Sequence, residues 1–115
     1  MKQVQVSSYG PAEVLKTVRY ERVEPGPAQV EVAIYAAGVN PADTYLRAGN
    51  YEFLSPELPF VPGYDGAGII TKVGDGENMP AVGDRVWIST IPTRSVGTYA
   101  DFLVCDASIT HPLPE

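Results

Sequence analysis

Apolar and polar residues alternate with a period of two along several short stretches of this chain, and the turn residues fall between them. In Met1 to Val6, Lys2, Val4 and Val6 lie on one side and Gln3 and Gln5 on the other, which predicts a first strand. Tyr9-Gly10-Pro11 ends it. Glu13 to Glu24 fits two patterns. Val14, Leu15 and Val18 match a helical face, whereas the β-branched content and the charges at Lys16, Arg19, Glu21 and Arg22 match an exposed antiparallel strand, which is the expectation. After the turn Pro25-Gly26-Pro27 comes the clearest strand, Gln29 to Ala37, with Val30, Val32 and Ile34 on one face and Glu31 and Tyr35 on the other.

Asn40-Pro41-Ala42-Asp43 predicts a helix start. Asn is a favoured N-cap, Pro suits the first helical position, and Asp43 places negative charge in the first turn. Gly49 stops the helix early. Residues 50 to 63, with Pro56, Pro59 and Pro62, are expected to be a proline-punctuated loop. Strands are expected at Gly68 to Val73, Arg85 to Ser89 and Tyr99 to Cys105, with tight turns at Gly74-Asp75-Gly76 and Val82-Gly83-Asp84.

Composition sharpens this picture. The chain has 11 Gly and 11 Pro in 115 residues, close to a fifth, against about 12% in ordinary proteins. Uninterrupted stretches are therefore too short for a helical bundle, and a sandwich or small barrel is expected. The apolar share of 44% is too high for disorder, and the length suits one domain. One Cys and one His exclude a disulfide scaffold and a Cys/His zinc site. A formal charge of -6 argues against nucleic acid as a partner. No apolar run is long enough to span a membrane, and the first ten residues show no secretion signal, so a cytoplasmic location is the default.

Several motifs, in order, carry a resemblance. They are Gly38-Val39-Asn40-Pro41-Ala42-Asp43-Thr44-Tyr45, Leu58-Pro59-Phe60-Val61-Pro62-Gly63-Tyr64-Asp65-Gly66-Ala67-Gly68, Val73-Gly74, Val82-Gly83-Asp84-Arg85-Val86 and Thr98-Tyr99-Ala100-Asp101-Phe102. Together they resemble the medium-chain dehydrogenase/reductase superfamily, and within it the zinc-free quinone oxidoreductase (zeta-crystallin-like) branch. The resemblance covers essentially the whole chain. It implies a mainly β fold for residues 1–115, a GroES-like, partly open β-barrel with short helices and no Rossmann domain. It also implies that Asn40 stands where the zinc-dependent branch has a metal-binding Cys, Tyr64 where it has a metal-binding His, and Asp65 where it has an acidic neighbour. An amide and a phenol are poor zinc ligands. The stretch Ile88 to Tyr99 also lacks the four Cys of a structural zinc lobe.

The resemblance further implies hydride transfer from NADPH to a quinone or enone. Tyr45, Asn40 and Tyr51 would be the catalytic residues of the cleft, and Asn40, Arg47 and Tyr64 would approach the cofactor. Each has a plainer structural reading: Asn40 as a helix cap, Tyr45 as a packing residue, Tyr51 as a loop aromatic, Tyr64 as a core or cleft wall, Arg47 as a solvated charge. Asp84 and Arg85 are expected to form a turn-stabilising pair. Cys105 reads as an inert core thiol, and His111 is assigned nothing.

No Gly-rich turn between a strand and a helix occurs, so a dinucleotide fingerprint is missing from this chain. Most of the NADPH site would then lie in sequence beyond Glu115, and the isolated chain is expected to be inactive. The alternatives are a free-standing GroES-like interaction or regulatory module without activity, or an enoyl-reductase or alcohol-dehydrogenase-like relative. Self-association, as a homodimer or through the exposed cleft face, is a further expectation.

Overall fold

A computed structural model describes residues 1–49, 57–89 and 97–114. Strands β1 (Lys2–Val6) and β2 (Leu15–Arg19) form an antiparallel hairpin, with Lys2 opposite Arg19 and Val6 opposite Leu15. Strands β3 (Gln29–Ala37), β4 (Gly66–Val73), β5 (Arg85–Ile88), β6 (Phe102–Asp106) and β7 (Thr110–Pro112) form one antiparallel sheet in the order β6-β3-β4-β5-β7. The single α-helix among the described residues, α1, spans Pro41–Ala48. The result is the expected mainly β fold, open at the sheet edges rather than closed, with no parallel βαβ unit of a Rossmann domain among the described residues.

Two apolar cores hold it together. Alternation along β3 to β6 puts Val30, Val32, Ile70, Val86, Ile88, Leu103 and Cys105 on one face of the large sheet, all buried. Val6, Leu46 and Phe60 form a second core, with Val14, Leu15 and Tyr64 packed against it. That second core joins the hairpin to α1. The hairpin meets the rest of the chain by backbone as well: Val6 and Phe60 exchange N–H···O bonds of 2.8 and 3.0 Å, and Val4 N–H donates to Tyr99 O at 2.8 Å.

The other face of β3 is not simply solvated. Glu31 is only 1% exposed, because Arg22 folds across it, donating from Nε at 3.0 Å and forming a second bond through its terminal nitrogen. Thr71 Oγ1 donates to Glu31 at 2.7 Å, and the guanidinium lies 4.1 Å from the centre of the Phe102 ring. This explains a departure from the expected pattern. The segment from Glu13 to Glu24 is a strand only over Leu15–Arg19, after a short 3-10 turn at Ala12–Val14, and its charged end leaves the hairpin to cover Glu31. Tyr20 serves the same sheet edge. Its hydroxyl donates to Phe102 O at 2.6 Å and accepts from Phe102 N–H at 2.9 Å, closing part of the open side of β6.

Two strand starts also differ, and one strand was not expected. β4 starts at Gly66, two residues before the expected Gly68, because Gly66 and Ala67 pair with Ala37 and Ala36. β6 starts at Phe102 rather than Tyr99, since the backbone of Tyr99 bonds to Pro62 and Val4 instead of the sheet. β7 lay outside the expectation altogether. It is three residues long and ends in Pro, too short for a visible period. It places His111 opposite Trp87, with ring centres 4.4 Å apart, and His111 Nε2 3.0 Å from Ser89 Oγ. The expected Asp84–Arg85 pair does not form. The ion pairs among the described residues are Arg22–Glu31 and Lys72–Glu24, and Asp84 instead accepts from Ala81 N–H at 2.9 Å, holding the turn through its backbone.

Candidate functional site

The helix start assembles as its sequence suggests. Asn40 has extended backbone and Pro41 opens the helix. Asp43 reaches back to accept the Asn40 N–H at 2.8 Å, the acidic half of a capping box, where the helix dipole favours its charge. At the other end Gly49 takes the left-handed conformation (φ 79°) that a side chain resists, and its N–H closes onto Leu46 O at 3.1 Å.

The Asn40 side chain turns toward β4. Its Nδ2 donates to Asp65 Oδ1 at 3.2 Å. Asp65 is held through its own backbone carbonyl, which accepts from Thr98 Oγ1 at 2.8 Å and from Gly38 N–H at 3.1 Å. Thr98 is 1% exposed. Asp43 is buried as well, and its Oδ1 has no hydrogen-bond partner. Its Oδ2 also receives a long bond from the Tyr99 hydroxyl at 3.4 Å. Burial, reinforced by the neighbouring Asp43 carboxylate, pushes the Tyr99 phenol up to about 12, so Tyr99 stays a proton donor at neutral pH. A groove of about 660 Å³ runs past Gly38, Asp65, Trp87 and Ser89.

The expected site residues divide by position. Asn40 joins the cluster just described. Tyr45 stands on the outer face of α1, 52% exposed, one residue before the buried Leu46. Tyr64 is half-buried and packs against the Val6–Leu46–Phe60 core. Arg47 turns to the loop before β2, where its Nε donates to Gly10 O at 3.3 Å while Gly10 N–H donates to Arg47 O at 3.0 Å. Tyr51 lies outside the described residues. Thr98 and Tyr99 were not expected as site neighbours, because their partners Asp65 and Asp43 lie 33 and 56 residues away and no local period joins them, and Asp43 was expected only as a first-turn charge. A larger groove of about 950 Å³, lined by Met79, Asp84 and Asp106 among others, shares no residue with this cluster. Its size alone does not make it the site.

Residues 26–115 match the model of the alcohol dehydrogenase GroES-like domain. The chain belongs to that family. It is 43% identical to the quinone oxidoreductase of Rattus norvegicus over 118 residues, a match that takes in all of this chain and 34% of that protein. Among solved structures it is similar to Escherichia coli quinone oxidoreductase complexed with NADPH (32% identity, TM-score 0.90, 99% of this chain and 33% of that one). It is also similar to the quinone oxidoreductase of Pseudomonas syringae (38% identity, TM-score 0.88, 99% and 34%). The chain thus spans about a third of the length of these relatives. The family fold agrees with the open antiparallel sheet, and the alignment places the Asn40–Asp65 cluster within the shared domain.

Proposed function

We propose that this GroES-like domain supplies the substrate-side wall of an NADPH-dependent quinone or enone reductase that works without zinc, in the cytoplasm. The observation that carries the reading is the likeness, along nearly all of this chain and a third of that one, to a quinone oxidoreductase solved with NADPH, with the Asn40 amide anchored inside the matching domain. The donor set fits only the nicotinamide end of such a cofactor. No strand-to-helix Gly-rich turn occurs among the described residues to cradle phosphates, so that part of the site is assigned to sequence outside this chain.

When bound, the reduced nicotinamide supplies a hydride. The contribution of this chain is electrostatic and positional. Hydride arriving at a conjugated carbon moves negative charge to the substrate oxygen, and a phenol donor beside that oxygen stabilises the transition state. Tyr45 is the donor proposed for that role, with Tyr51 as its neighbour along the same stretch. Asn40 and Tyr64 are assigned to the nicotinamide side, and Arg47 to an anionic group of the cofactor. That last role requires Arg47 to leave the Gly10 carbonyl. The zinc-free reading follows from donor chemistry, since an amide, a phenol and one carboxylate at Asn40, Tyr64 and Asp65 make a poor zinc shell.

The test is NADPH-dependent reduction of a panel of quinones and enones by the full-length product of the gene. Turnover with at least one supports the reading, and none with any would sink it. Turnover confined to simple aldehydes and ketones with NADPH, or to alcohols with NADP+ as the hydride acceptor, would favour the alcohol-dehydrogenase-like alternative. Light scattering on the 115-residue chain checks self-association through the cleft face, which a clean monomer would refute.

A further inference from the structure

We propose that Asp65 is a positioning residue that locks the Asn40 carboxamide in one of its two orientations, with Gly38 providing the space the lock needs. The inference deepens the reading of Asn40 as a cleft residue and rests on it for its functional consequence, though not for its geometry.

An asparagine amide has almost the same shape with its oxygen and nitrogen exchanged, so packing alone does not choose between the two. A carboxylate oxygen does choose, because it accepts hydrogen bonds and repels another acceptor. Asp65 Oδ1 lies 3.2 Å from Asn40 Nδ2, which commits one Asn40 N–H to Asp65. The remaining N–H and the carbonyl oxygen are then left, in a fixed arrangement, for a ligand. The main chain is held too, since the Asn40 N–H is bound to Asp43 Oδ2. One residue is therefore gripped by two carboxylates, from the helix at its backbone and from the residue just before β4 at its side chain.

The lock depends on Asp65 keeping its place, and two independent features serve that. Thr98 and Gly38 both donate to the Asp65 carbonyl, which fixes the backbone from which the carboxylate projects. Gly38 also lies directly under that carboxylate. A Cβ at this position would collide with Asp65 Oδ1, with Asn40 Nδ2 next nearest among its polar neighbours at 3.5 Å. Gly38 has no positive φ, so its missing side chain is needed for clearance rather than for backbone conformation.

Two substitutions that share no atoms should therefore have one consequence. Asp65→Asn keeps the size but can present either oxygen or nitrogen, and Gly38→Ala leaves both partners in place while pushing the carboxylate away. The chain holds three asparagines, Asn40, Asn50 and Asn78, so selective 15N-asparagine labelling gives a readable spectrum. In the unaltered protein the Asn40 side-chain pair should be sharp, with one proton protected from exchange. Both variants should shift and broaden that pair and leave the Asn78 pair in place. An Asn40 pair unchanged in both variants would overturn the proposal, and Gly38→Ala decides the matter alone if Asp65→Asn fails to fold. In the full-length enzyme Asp65→Asn should lower kcat/KM by about tenfold at unchanged thermal midpoint. An unaltered kcat/KM alongside a disturbed Asn40 pair would refute the catalytic consequence. Asn40→Ala separates the two ideas. Unchanged turnover there defeats the cleft reading of Asn40, whatever the spectrum shows of the lock.

Discussion

Tyr45 and Leu46 are chain neighbours with opposite fates, one 52% exposed and the other in the core beside Val6 and Phe60. The buried position on this turn of the helix is thus filled by Leu46, while the Tyr45 ring stands half exposed on the outer face of α1. If it stabilises a developing oxyanion, Tyr45→Phe should lower kcat of the full-length enzyme by about 100-fold with little change in stability, since the ring contacts survive. Steady-state kinetics with one good quinone checks this, and an unchanged kcat returns Tyr45 to a surface role. Cys105 is the opposite case. It sits in the sheet core at 7% exposure, and burial together with the neighbouring Asp106 pushes its thiol up to about 12. It should resist iodoacetamide at mildly alkaline pH until denaturant is added. Mass spectrometry before and after unfolding reads this directly, and rapid modification of the native chain would contradict it.

Elements show what the sequence made legible and where it stopped. The clean alternation in Gln29 to Ala37 gave β3 its full length, and Asn40-Pro41 with Gly49 bounded α1 to within a residue, because caps and periods are local properties. The charged end of the segment after Glu13 was unreadable for a physical reason: Arg22 acts on Glu31, a residue on another element. The Asn40–Asp65 bond was invisible in the same way, although both residues had been singled out separately. The Glu31 network makes a prediction at this scale. Burial raises the Glu31 pKa, but hydrogen bonds from Arg22 and Thr71, with the charges of Arg22 and Lys72, outweigh it and hold the carboxyl below its ordinary value of 4.5. A carboxyl held low in the folded state binds protons more readily when unfolded. Its contribution is present above the ordinary value and fades as pH falls through the folded one. Glu31→Gln should therefore cost about 1–3 kcal/mol near neutral pH. The gap should narrow in acid, as measured by urea denaturation at both pH values. A gap independent of pH would assign the loss to packing instead.

At the scale of the molecule, the proposed function makes this domain one wall of a larger cleft. Its sheet is wholly antiparallel, its one described helix begins with a carboxylate rather than a glycine-rich turn, and it spans a third of its relatives' length. NADPH is a polyanion whose affinity comes mostly from its phosphates, which need backbone N–H groups at a helix start or a cluster of basic side chains. Here the helix start is occupied by Asp43, with Asp65 close by. The Arg47 guanidinium on the same helix is turned to Gly10, and the formal charge of the chain is -6. The carboxylates around Asn40 thus repel phosphates, and the nicotinamide contact proposed for Asn40 would not by itself offset the ordering of a long flexible ligand. The 115-residue chain should bind NADPH too weakly for calorimetry to detect at micromolar concentrations, and lowering the salt should weaken binding further, because screening falls and the repulsion grows. A submicromolar dissociation constant, or affinity that rises at low salt, would mean that a phosphate site exists on this domain and would move the cofactor contact away from Asn40.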